Sequence, residues 1–396
     1  MRTFQRLPVA MQTVYAELAD RAWTGSFQDI MDAGGTPHKR TVKGRDYWYW
    51  HPATRNGRRP PARYLGPDTP EIRRRIEARV ERAEARKDRI GMVRALRAGG
   101  MPAPDGLSGN VLAALAEAGA FRLRAVVVGS LAFQCYLPML GFRAPGAAAR
   151  TGDVDIGQFP AISIAVGDRI EPDLLSVLKS VDAAFEAVPS PFDPRRTLRY
   201  AIRGGSEERF VVDVLAPMRG PIRDRPVHLP ALEGDAQPLR FLDFLLYQEI
   251  EALVLHGTGI PVKVPAPERF AVHKLLVAAR RQTDRTGRIK ARKDLEQAAL
   301  LVRVLASDRP EELREAWDEM RARGPSWRKA ADRGRKDLPP DVQDLLPLPD
   351  VPDKARNDVS RATATTGGSK GSSPGDRNRT LPAPSPFDDP TDPFRT

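Results

Sequence analysis

The spacing of apolar residues predicts a helical region at the start of the chain. Residues 8–23 place apolar side chains at roughly helical intervals. Residues 71–96 predict a second, highly charged helix, because Glu and Arg recur three and four positions apart and such pairs support an exposed helix. The Pro- and Gly-rich segment 99–106 then marks a domain boundary, so we expect an N-terminal region over residues 1–98.

A basic, aromatic β-hairpin is predicted between those two helices. Residues 47–50 (YWYW) favour a strand, the Asn-Gly pair at 56–57 is a turn signal, and residues 62–65 can return as a second strand. The basic residues around it are Lys43, Arg45, Arg58, Arg59 and Arg63. This mixture suits the stacking of bases beside phosphates. Alternatively, one aromatic face packs on the neighbouring helix, and we expect this of Trp48 or Trp50, whichever faces inward.

Residues 107–265 alternate between short apolar runs and amphipathic segments, which predicts a core that contains both strands and helices. The continuous apolar run at 124–128 is typical of a buried strand, and Ser108 is expected to cap a helix that ends near residue 118. Further strands are predicted at 153–156, 185–188, 198–203, 210–215, 241–246, 252–255 and 261–264, and further helices at 131–140 and 171–183.

The last part of the chain predicts a helical domain followed by a tail. Helices are expected within residues 266–346, at 268–281, 290–305, 311–323 and 326–333. Residues 347–396 are rich in Pro, Asp, Ser, Thr and Gly and poor in apolar side chains. Such a segment buries too little surface to offset its chain entropy, so we predict that it is disordered.

Composition narrows the class of protein. No run of about 18 uncharged apolar residues is present, and the N-terminus lacks the apolar core of a secretion signal. Cys135 is the single cysteine, which excludes an internal disulfide and suits a reducing compartment. We therefore expect a cytoplasmic protein with no membrane partner. The net charge of +12 favours nucleic acid or nucleotides as partners, although an Arg-rich solvated surface is the plainer interpretation.

Gly129-Ser130 ends the predicted strand at 124–128 and opens a predicted helix. Backbone N–H groups and the helix dipole meet at such a point, so phosphate is a natural ligand there, and the Ser130 hydroxyl adds a donor. Many strand-to-helix turns contain Gly-Ser for steric reasons alone.

Three carboxylates accompany this turn. Asp153 and Asp155 are two apart on a predicted strand, so both project from one face while Val154 faces the core. Paired carboxylates repel unless a cation lies between them, and Mg²⁺ prefers oxygen ligands. Asp213 lies within an apolar run, where an ionised carboxylate needs a metal, a basic partner or an exposed strand end. The alternatives are solvated aspartates at 153 and 155 and a structural salt bridge from Asp213 to an arginine.

The order of hydrophobic strand, Gly-Ser, Asp-x-Asp and isolated Asp resembles the DNA polymerase β-like nucleotidyltransferase superfamily. The resemblance implies that residues 107–265 form an α+β core with a mixed sheet. The resemblance implies that Gly129 and Ser130 bind the triphosphate and that Asp153, Asp155 and Asp213 hold Mg²⁺ or Mn²⁺. It also implies that Asp213 activates the acceptor hydroxyl. The expected reaction is displacement at the α-phosphate of a nucleoside triphosphate, with pyrophosphate leaving.

The whole chain resembles a bacterial group of proteins described as having a nucleotidyltransferase fold. The resemblance lies in VKGRDYWYW, RYLGP, VVGSLAFQCY, DVDI, PERFAVHKLLVAARR and KARKDLEQA. The last two blocks also resemble toxin-type nucleotidyltransferases, which implies Lys274, Lys293 and Asp294 as residues that approach the nucleotide. For Lys274 the alternative is a surface lysine on an amphipathic helix.

One feature departs from the superfamily pattern. Twenty-two residues separate Ser130 from Asp153, more than the superfamily usually has, and the extra length falls in the loop 141–152. We expect this loop to lie beside the site, with Arg143 and Arg150 as basic contacts to the acceptor.

Three functions follow from these residues. The first is a Mg²⁺-dependent transfer of a nucleoside monophosphate to RNA, protein or a small molecule, with the basic charge favouring RNA. The second is a non-catalytic module that binds nucleic acid through the hairpin. The third is the toxin of a toxin–antitoxin or phage-defence pair, whose antitoxin partner the sequence does not identify.

Overall fold

The structure is a computed structural model that describes residues 4–25, 35–42, 44–52, 63–144, 152–165, 169–170, 172–204, 207–218, 220, 225–281 and 284–346. The chain divides into two compact units, Met1–Phe270 and Ala271–Thr396. The turn predicted at 56–57 and the tail predicted at 347–396 lie outside the described residues. In the described part of the chain, no helix is long and apolar enough to cross a membrane.

The first unit begins with a short strand and two helices: β1 (Gln5–Arg6), α1 (Val9–Gly25) and α2 (Pro70–Ala98). Both predicted helices are confirmed. α2 begins where the Thr69 hydroxyl accepts a hydrogen bond from the Ile72 amide at 3.3 Å. Its apolar stripe joins that of α1 in a core where Leu18, Leu96 and Leu253 are buried.

An antiparallel sheet of three strands lies between those helices in sequence: β2 (Gly35–Val42), β3 (Arg45–Pro52) and β4 (Arg63–Pro67). The hairpin prediction was right for β3 and β4 and missed β2. The sequence of β2, GTPHKRTV, is almost wholly polar, so it carries no hydrophobic alternation that would mark a strand.

Helix α3 (Gly106–Glu117) is capped by Asp105, and the prediction that Ser108 caps it is wrong. The Asp105 carboxylate accepts hydrogen bonds from the amides of Leu107 and Ser108, each at 3.0 Å, and from the Ser108 hydroxyl at 2.6 Å. Ser108 therefore lies inside the first turn and supports the capping residue.

Strand β5 (Val126–Val127) leads directly into α4 (Gly129–Met139), two residues earlier than the predicted helix start. Strand β6 (Phe142–Arg143) follows and pairs antiparallel with β1.

A mixed sheet of seven strands forms the centre of the first unit, as the α+β prediction requires. Besides β5, its strands are β7 (Asp153–Gly157), β8 (Phe185–Pro189), β9 (Thr197–Gly204), β10 (Glu207–Pro217), β11 (Val227–Leu229) and β12 (Gly234–Leu239). β10 pairs in parallel with β7 along one edge. Its other edge pairs first with β9, antiparallel, and then with the end of β12, parallel.

The remaining elements of this unit are α5 (Pro160–Ala165), α6 (Leu174–Val181), α7 (Leu242–Leu246) and a hairpin of β13 (Glu249–Val254) and β14 (Ile260–Pro265). The prediction of a strand at 241–246 is wrong, because these residues form α7. All five residues of α7 are buried, and a short apolar run does not distinguish a buried strand from a buried helix. The predicted helix at 171–183 is shorter, because Asp173 caps α6.

The second unit begins within α8 (Pro267–Ala278) and continues as α9 (Arg285–Asp308), α10 (Pro310–Ala322), α11 (Pro325–Lys336) and α12 (Pro340–Gln343). The four predicted helices are confirmed, and α12 was not predicted. Trp317 is 1% exposed in the core of this unit. A Cβ at Gly334 would lie 2.9 Å from the carbonyl carbon of Leu275, so α11 approaches the backbone of α8 closely.

Candidate active site

The register of β7 and β10 sets the positions of the three predicted carboxylates. β7 and β10 run parallel, with Asp155 directly opposite Asp213 and Asp153 opposite Val211. Neighbouring strands lie about 4.8 Å apart, and residues two apart on a strand share a face. Asp153, Asp155 and Asp213 therefore project from one face of the sheet. Val154 and Val212, on the other face, are completely buried.

The start of α4 lies against this carboxylate face. Gly129 has φ +65°, a conformation that favours glycine. A Cβ at this position would lie 3.3 Å from Cγ of Asp155 and closer still to its Oδ2. The Val128 amide also donates a hydrogen bond to the Asp155 carbonyl at 3.0 Å. The predicted phosphate-binding turn and the predicted metal-binding pair are thus direct neighbours.

The local chemistry at this helix start suits an anion. Val128 occupies the N-cap position, and its side chain has no oxygen that could cap the helix. The first amides of a helix have no intrahelical acceptor, and the helix dipole adds partial positive charge there. Ser130 is partly buried in the first turn. The turn thus offers donors within reach of the Asp155 carboxylate.

Asp213 has a basic partner that sequence analysis did not identify. Arg199 Nε on β9 lies 3.1 Å from Asp213 Oδ1, and the two side chains form an ion pair. Arg199 also contacts Glu208 at 3.1 Å. Arg199 lies one position beyond the last registered pair of β9 and β10, Tyr200 with Val212. The alternative of a salt bridge to arginine is therefore realised, and it coexists with the position of Asp213 beside Asp155.

The donor set fits a hard divalent cation such as Mg²⁺. Carboxylate oxygens are its preferred protein ligands, and two of the carboxylates stand on adjacent strands at the same register. Within the described residues, no three His, Cys, Asp or Glu side chains are grouped so as to hold a metal ion by themselves. Mg²⁺ usually takes one or two carboxylates and completes its shell with water and substrate phosphates, so the fit is to an ion that arrives with a triphosphate.

The predicted nucleotide contacts Lys274 and Lys293 belong to the second unit, on α8 and α9. Lys274 Nζ lies 2.6 Å from Asp294 Oδ1 in a buried ion pair, and Arg281 Nη2 lies 3.0 Å from Oδ2 of the same carboxylate. Lys274 is therefore not the simple surface lysine of the alternative interpretation. Lys293 is partly buried on α9. Their role at a nucleotide stays a prediction.

His273 lies beside this ion-pair cluster, in the same unit. Burial, together with the positive charge of Lys274, lowers its pKa from 6.5 to about 3. The imidazole is therefore neutral at physiological pH. It was not predicted, because no local pattern marks a histidine that tertiary packing buries.

Two further positions bear on the predicted site. Arg143, a predicted acceptor contact, donates hydrogen bonds to Gln5 Oε1 at 2.8 and 3.1 Å within the β1–β6 pair. Arg150 lies outside the described residues.

A cavity of about 340 Å³ lies elsewhere in the first unit, and its lining includes Tyr200, His228 and Asp235 but none of the predicted site residues.

Comparison with known proteins gives one family and one solved structure. The family model described as "Nucleotidyltransferase" matches residues 107–322, more than half of the chain. The crystal structure of an antigenic nucleotidyltransferase-like protein from Paracoccidioides brasiliensis is 17% identical, covering 58% of this chain and 94% of that one. Its TM-score of 0.27 is too low to support any structural argument. No curated protein matches the chain significantly.

Proposed function

This chain belongs to a nucleotidyltransferase family and is an enzyme of that type, and on this premise we propose that it transfers a nucleoside monophosphate from a nucleoside triphosphate to a hydroxyl acceptor. One observation carries the proposal: the start of α4 lies against Asp155, which stands opposite Asp213. A triphosphate requires hydrogen-bond donors for its oxygens and a cation for its charge. The two features supply donors and cation ligands side by side.

Gly129 and Ser130 are the proposed phosphate ligands. The absence of a side chain at Gly129 lets the Asp155 carboxylate lie against the start of α4, so a cation held by Asp155 would be next to a phosphate bound by this turn. The Ser130 amide and hydroxyl add two donors at the positive end of the helix dipole. This arrangement favours binding of the triphosphate end of the nucleotide over its base.

Asp153, Asp155 and Asp213 are the proposed ligands of Mg²⁺ or Mn²⁺. When bound, such an ion neutralises phosphate charge and stabilises the charge that develops in phosphoryl transfer. Asp155 is the residue with the strongest support, because it touches both the phosphate-binding turn and the strand that bears Asp213. Asp153 is the most exposed of the three, which leaves it accessible to an arriving substrate complex.

In the proposed reaction the acceptor oxygen attacks the α-phosphorus in line with the leaving group. The bond from that phosphorus to the α,β-bridging oxygen breaks, pyrophosphate leaves, and the hydroxyl proton passes to the Asp213 carboxylate. Arg199 is the proposed positioning residue, since its ion pair holds Asp213 at the face that bears Asp155. The acceptor is RNA, a protein hydroxyl or a small molecule, and the net charge of +12 favours RNA.

Transfer of radiolabel tests the proposal. The purified protein is incubated with Mg²⁺ and each of the four NTPs labelled at the α-phosphate, with RNA, with protein and without added acceptor. We expect transfer to one acceptor, its loss on chelation, and its loss in Asp155→Asn and Asp153→Asn. The matched control is Glu186→Gln, which removes a carboxylate from β8 of the same sheet, where it pairs with Arg203. Equal transfer by Asp155→Asn and the wild type would contradict the assignment.

A further inference from the structure

The three-stranded sheet of β2, β3 and β4 separates its side chains into two chemically different faces. Side chains alternate along a strand, so His38 and Arg40 of β2 share a face with their registered partners Tyr49 and Tyr47 of β3. His51 lies on the same face, with its ring centroid 4.8 Å from that of His38. We call these five residues the aromatic face. His38 and Arg40 are exposed, and the other three are partly exposed.

The opposite face is joined to the beginning of α2. Trp48 Nε1 donates a hydrogen bond to Asp68 Oδ1 at 2.9 Å, and Lys39 Nζ lies 2.7 Å from Asp46 and 2.8 Å from Asp68. Arg73 of α2 donates two hydrogen bonds to Asp68, at 2.6 and 2.8 Å. These donors, of which Arg73 has the largest effect, hold the pKa of Asp68 well below its usual range. The sequence predicts that either Trp48 or Trp50 faces the neighbouring helix, and Trp48 takes this role.

Charge is divided between the two faces in the same way. Asp46 and Asp68 both lie on the side that meets α2, where lysine and arginine neutralise them. The described positions of β2 and β3 on the aromatic face hold Arg40 and Arg45 and no acidic residue. This face thus offers tyrosine and histidine rings beside cationic side chains without competing carboxylates, and its charge is complementary to phosphate.

We propose that the aromatic face binds single-stranded nucleic acid. Bases stack on Tyr47 and Tyr49, and phosphates lie near Arg40 and Arg45. Base stacking on aromatic side chains within a positively charged groove is how sequence-tolerant single-strand binders work, and RNA-binding sheets present such aromatics on a strand surface.

The spacing of the rings selects a single strand over a duplex. Tyr47 and Tyr49 are two residues apart, which separates their Cα atoms by about 7 Å in a strand. Bases stacked in a helix are about 3.4 Å apart along each strand, so a chain that places one base on each ring must be opened out. A duplex covers its base faces and does not offer them to a flat sheet.

This binding surface is independent of the proposed transfer reaction, because it shares no residue with the carboxylate site. Asp155→Asn is expected to lose transfer while it retains nucleic-acid binding. Tyr47→Ala is expected to weaken nucleic-acid binding while it retains any transfer to an acceptor other than nucleic acid. The two proposals can therefore fail separately.

Fluorescence anisotropy with the full chain tests the inference. The probes are fluorescein-labelled oligo(U) and oligo(dT) of about 16 nucleotides, and an RNA duplex of the same length. We expect the wild type to bind both single strands more tightly than the duplex. Tyr47→Ala and Tyr49→Ala should each weaken single-strand binding about five- to a hundredfold, the range of one lost stacking contact. Tyr47→Phe keeps the ring and should bind like the wild type.

Two controls separate stacking from charge and from general effects of mutation. Arg40→Gln should lower the slope of log affinity against log salt by about 0.7, the value for one phosphate contact on a single strand. Phe192→Ala removes an aromatic side chain that is 59% exposed elsewhere in the same unit, and it should leave binding unchanged. Circular dichroism verifies that each variant is folded.

Three results would overturn the inference. They are no binding by the wild type, binding of the duplex as tight as that of the single strands, and wild-type affinity in folded Tyr47→Ala and Tyr49→Ala. A duplex bound equally well would show that net charge alone accounts for the affinity. Preference for either oligo(U) or oligo(dT), or equal binding of both, supports the inference, and a preference tells which single strand the surface favours.

Discussion

Substitution of Gly129 by alanine probes the contact on which the proposed site rests. Gly129 has φ +65°, so an alanine there adopts the left-handed conformation at a cost of about 1–2 kcal/mol. The new methyl group would also collide with the Asp155 carboxylate, whose Cγ lies 3.3 Å from the Cβ position and whose Oδ2 lies closer. Because β7 and its backbone bonds fix the Asp155 main chain, its side chain must move away from the turn.

The expected effect on activity exceeds the effect on stability. The Asp155 carboxylate must shift by about 1 Å, and a displacement of that size in a reacting group can lower the rate about a hundredfold. We therefore expect kcat/KM for label transfer to fall about a hundredfold or more, while the free energy of unfolding falls by about 1–2 kcal/mol. Steady-state transfer assays and urea denaturation measure the two quantities on the same protein.

Gly257→Ala is the matched control for backbone strain. Gly257 has φ +59° in the turn between β13 and β14, and a Cβ there meets no atom within 4 Å. It should lose a similar free energy of unfolding and retain transfer activity. If Gly129→Ala keeps wild-type kcat/KM, the adjacency of Gly129 and Asp155 is not part of the catalytic geometry, and the proposed phosphate role of the turn is refuted.

Two further predictions concern the buried ionic cluster of the second unit. His273 has a pKa of about 3 in the folded chain and 6.5 unfolded, so below pH 6.5 the unfolded chain takes up a proton that the folded chain refuses. The free energy of unfolding should fall by about 1.4 kcal/mol per pH unit as pH drops from about 6 towards 3. Urea midpoints of His273→Leu, measured over the same pH range, should lack this pH dependence. Equal pH slopes in the two proteins would contradict the prediction. Asp294→Ala leaves Lys274 buried without its carboxylate and should lower the free energy of unfolding by about 3–5 kcal/mol. Asp294→Asn, which keeps a hydrogen-bond acceptor, should lose less, and a loss by Asp294→Ala within about 0.5 kcal/mol of zero would show that the pair is not structural.

Elements with their own periodic pattern were predictable from the sequence. α1, α2 and the helices of the second unit were found because helical spacing persists over several turns, which is a local property of the chain. The helix α7 was mistaken for a strand because its five buried residues show no period at all. β2 and β12 were missed for the opposite reason: GTPHKRTV and GDAQPL are held as strands by their neighbours rather than by their own composition.

The candidate site was predictable only in part, because some of its geometry depends on the pairing of strands that are far apart in the chain. The common orientation of Asp153 and Asp155 follows from the period of a strand, and burial of Val154 follows with it. The position of Asp213 opposite Asp155 depends on the parallel register of β7 and β10, which are separated by about fifty residues of chain. No local pattern specifies that register, and the resemblance to a nucleotidyltransferase superfamily supplied the expectation instead.

The ion pair between Arg199 and Asp213 was predictable in kind from electrostatics, as one of several alternatives, but no sequence pattern identifies Arg199 as the partner. An ionised carboxylate within an apolar strand needs a metal, a basic partner or an exposed strand end, and the sequence does not tell which of these Asp213 has or which arginine would pair with it. Arg199 alone does not balance the charge of the site, because Asp155 and Asp213 stand directly opposite each other on adjacent strands, and like charges so placed repel each other. Arg199 approaches Asp213 from the β9 side, whereas Asp155 lies on the β7 side, so the repulsion between the two carboxylates is only partly offset. A divalent cation between them would remove it, and this is the physical reason to expect ion binding at the place where the phosphate-binding turn begins.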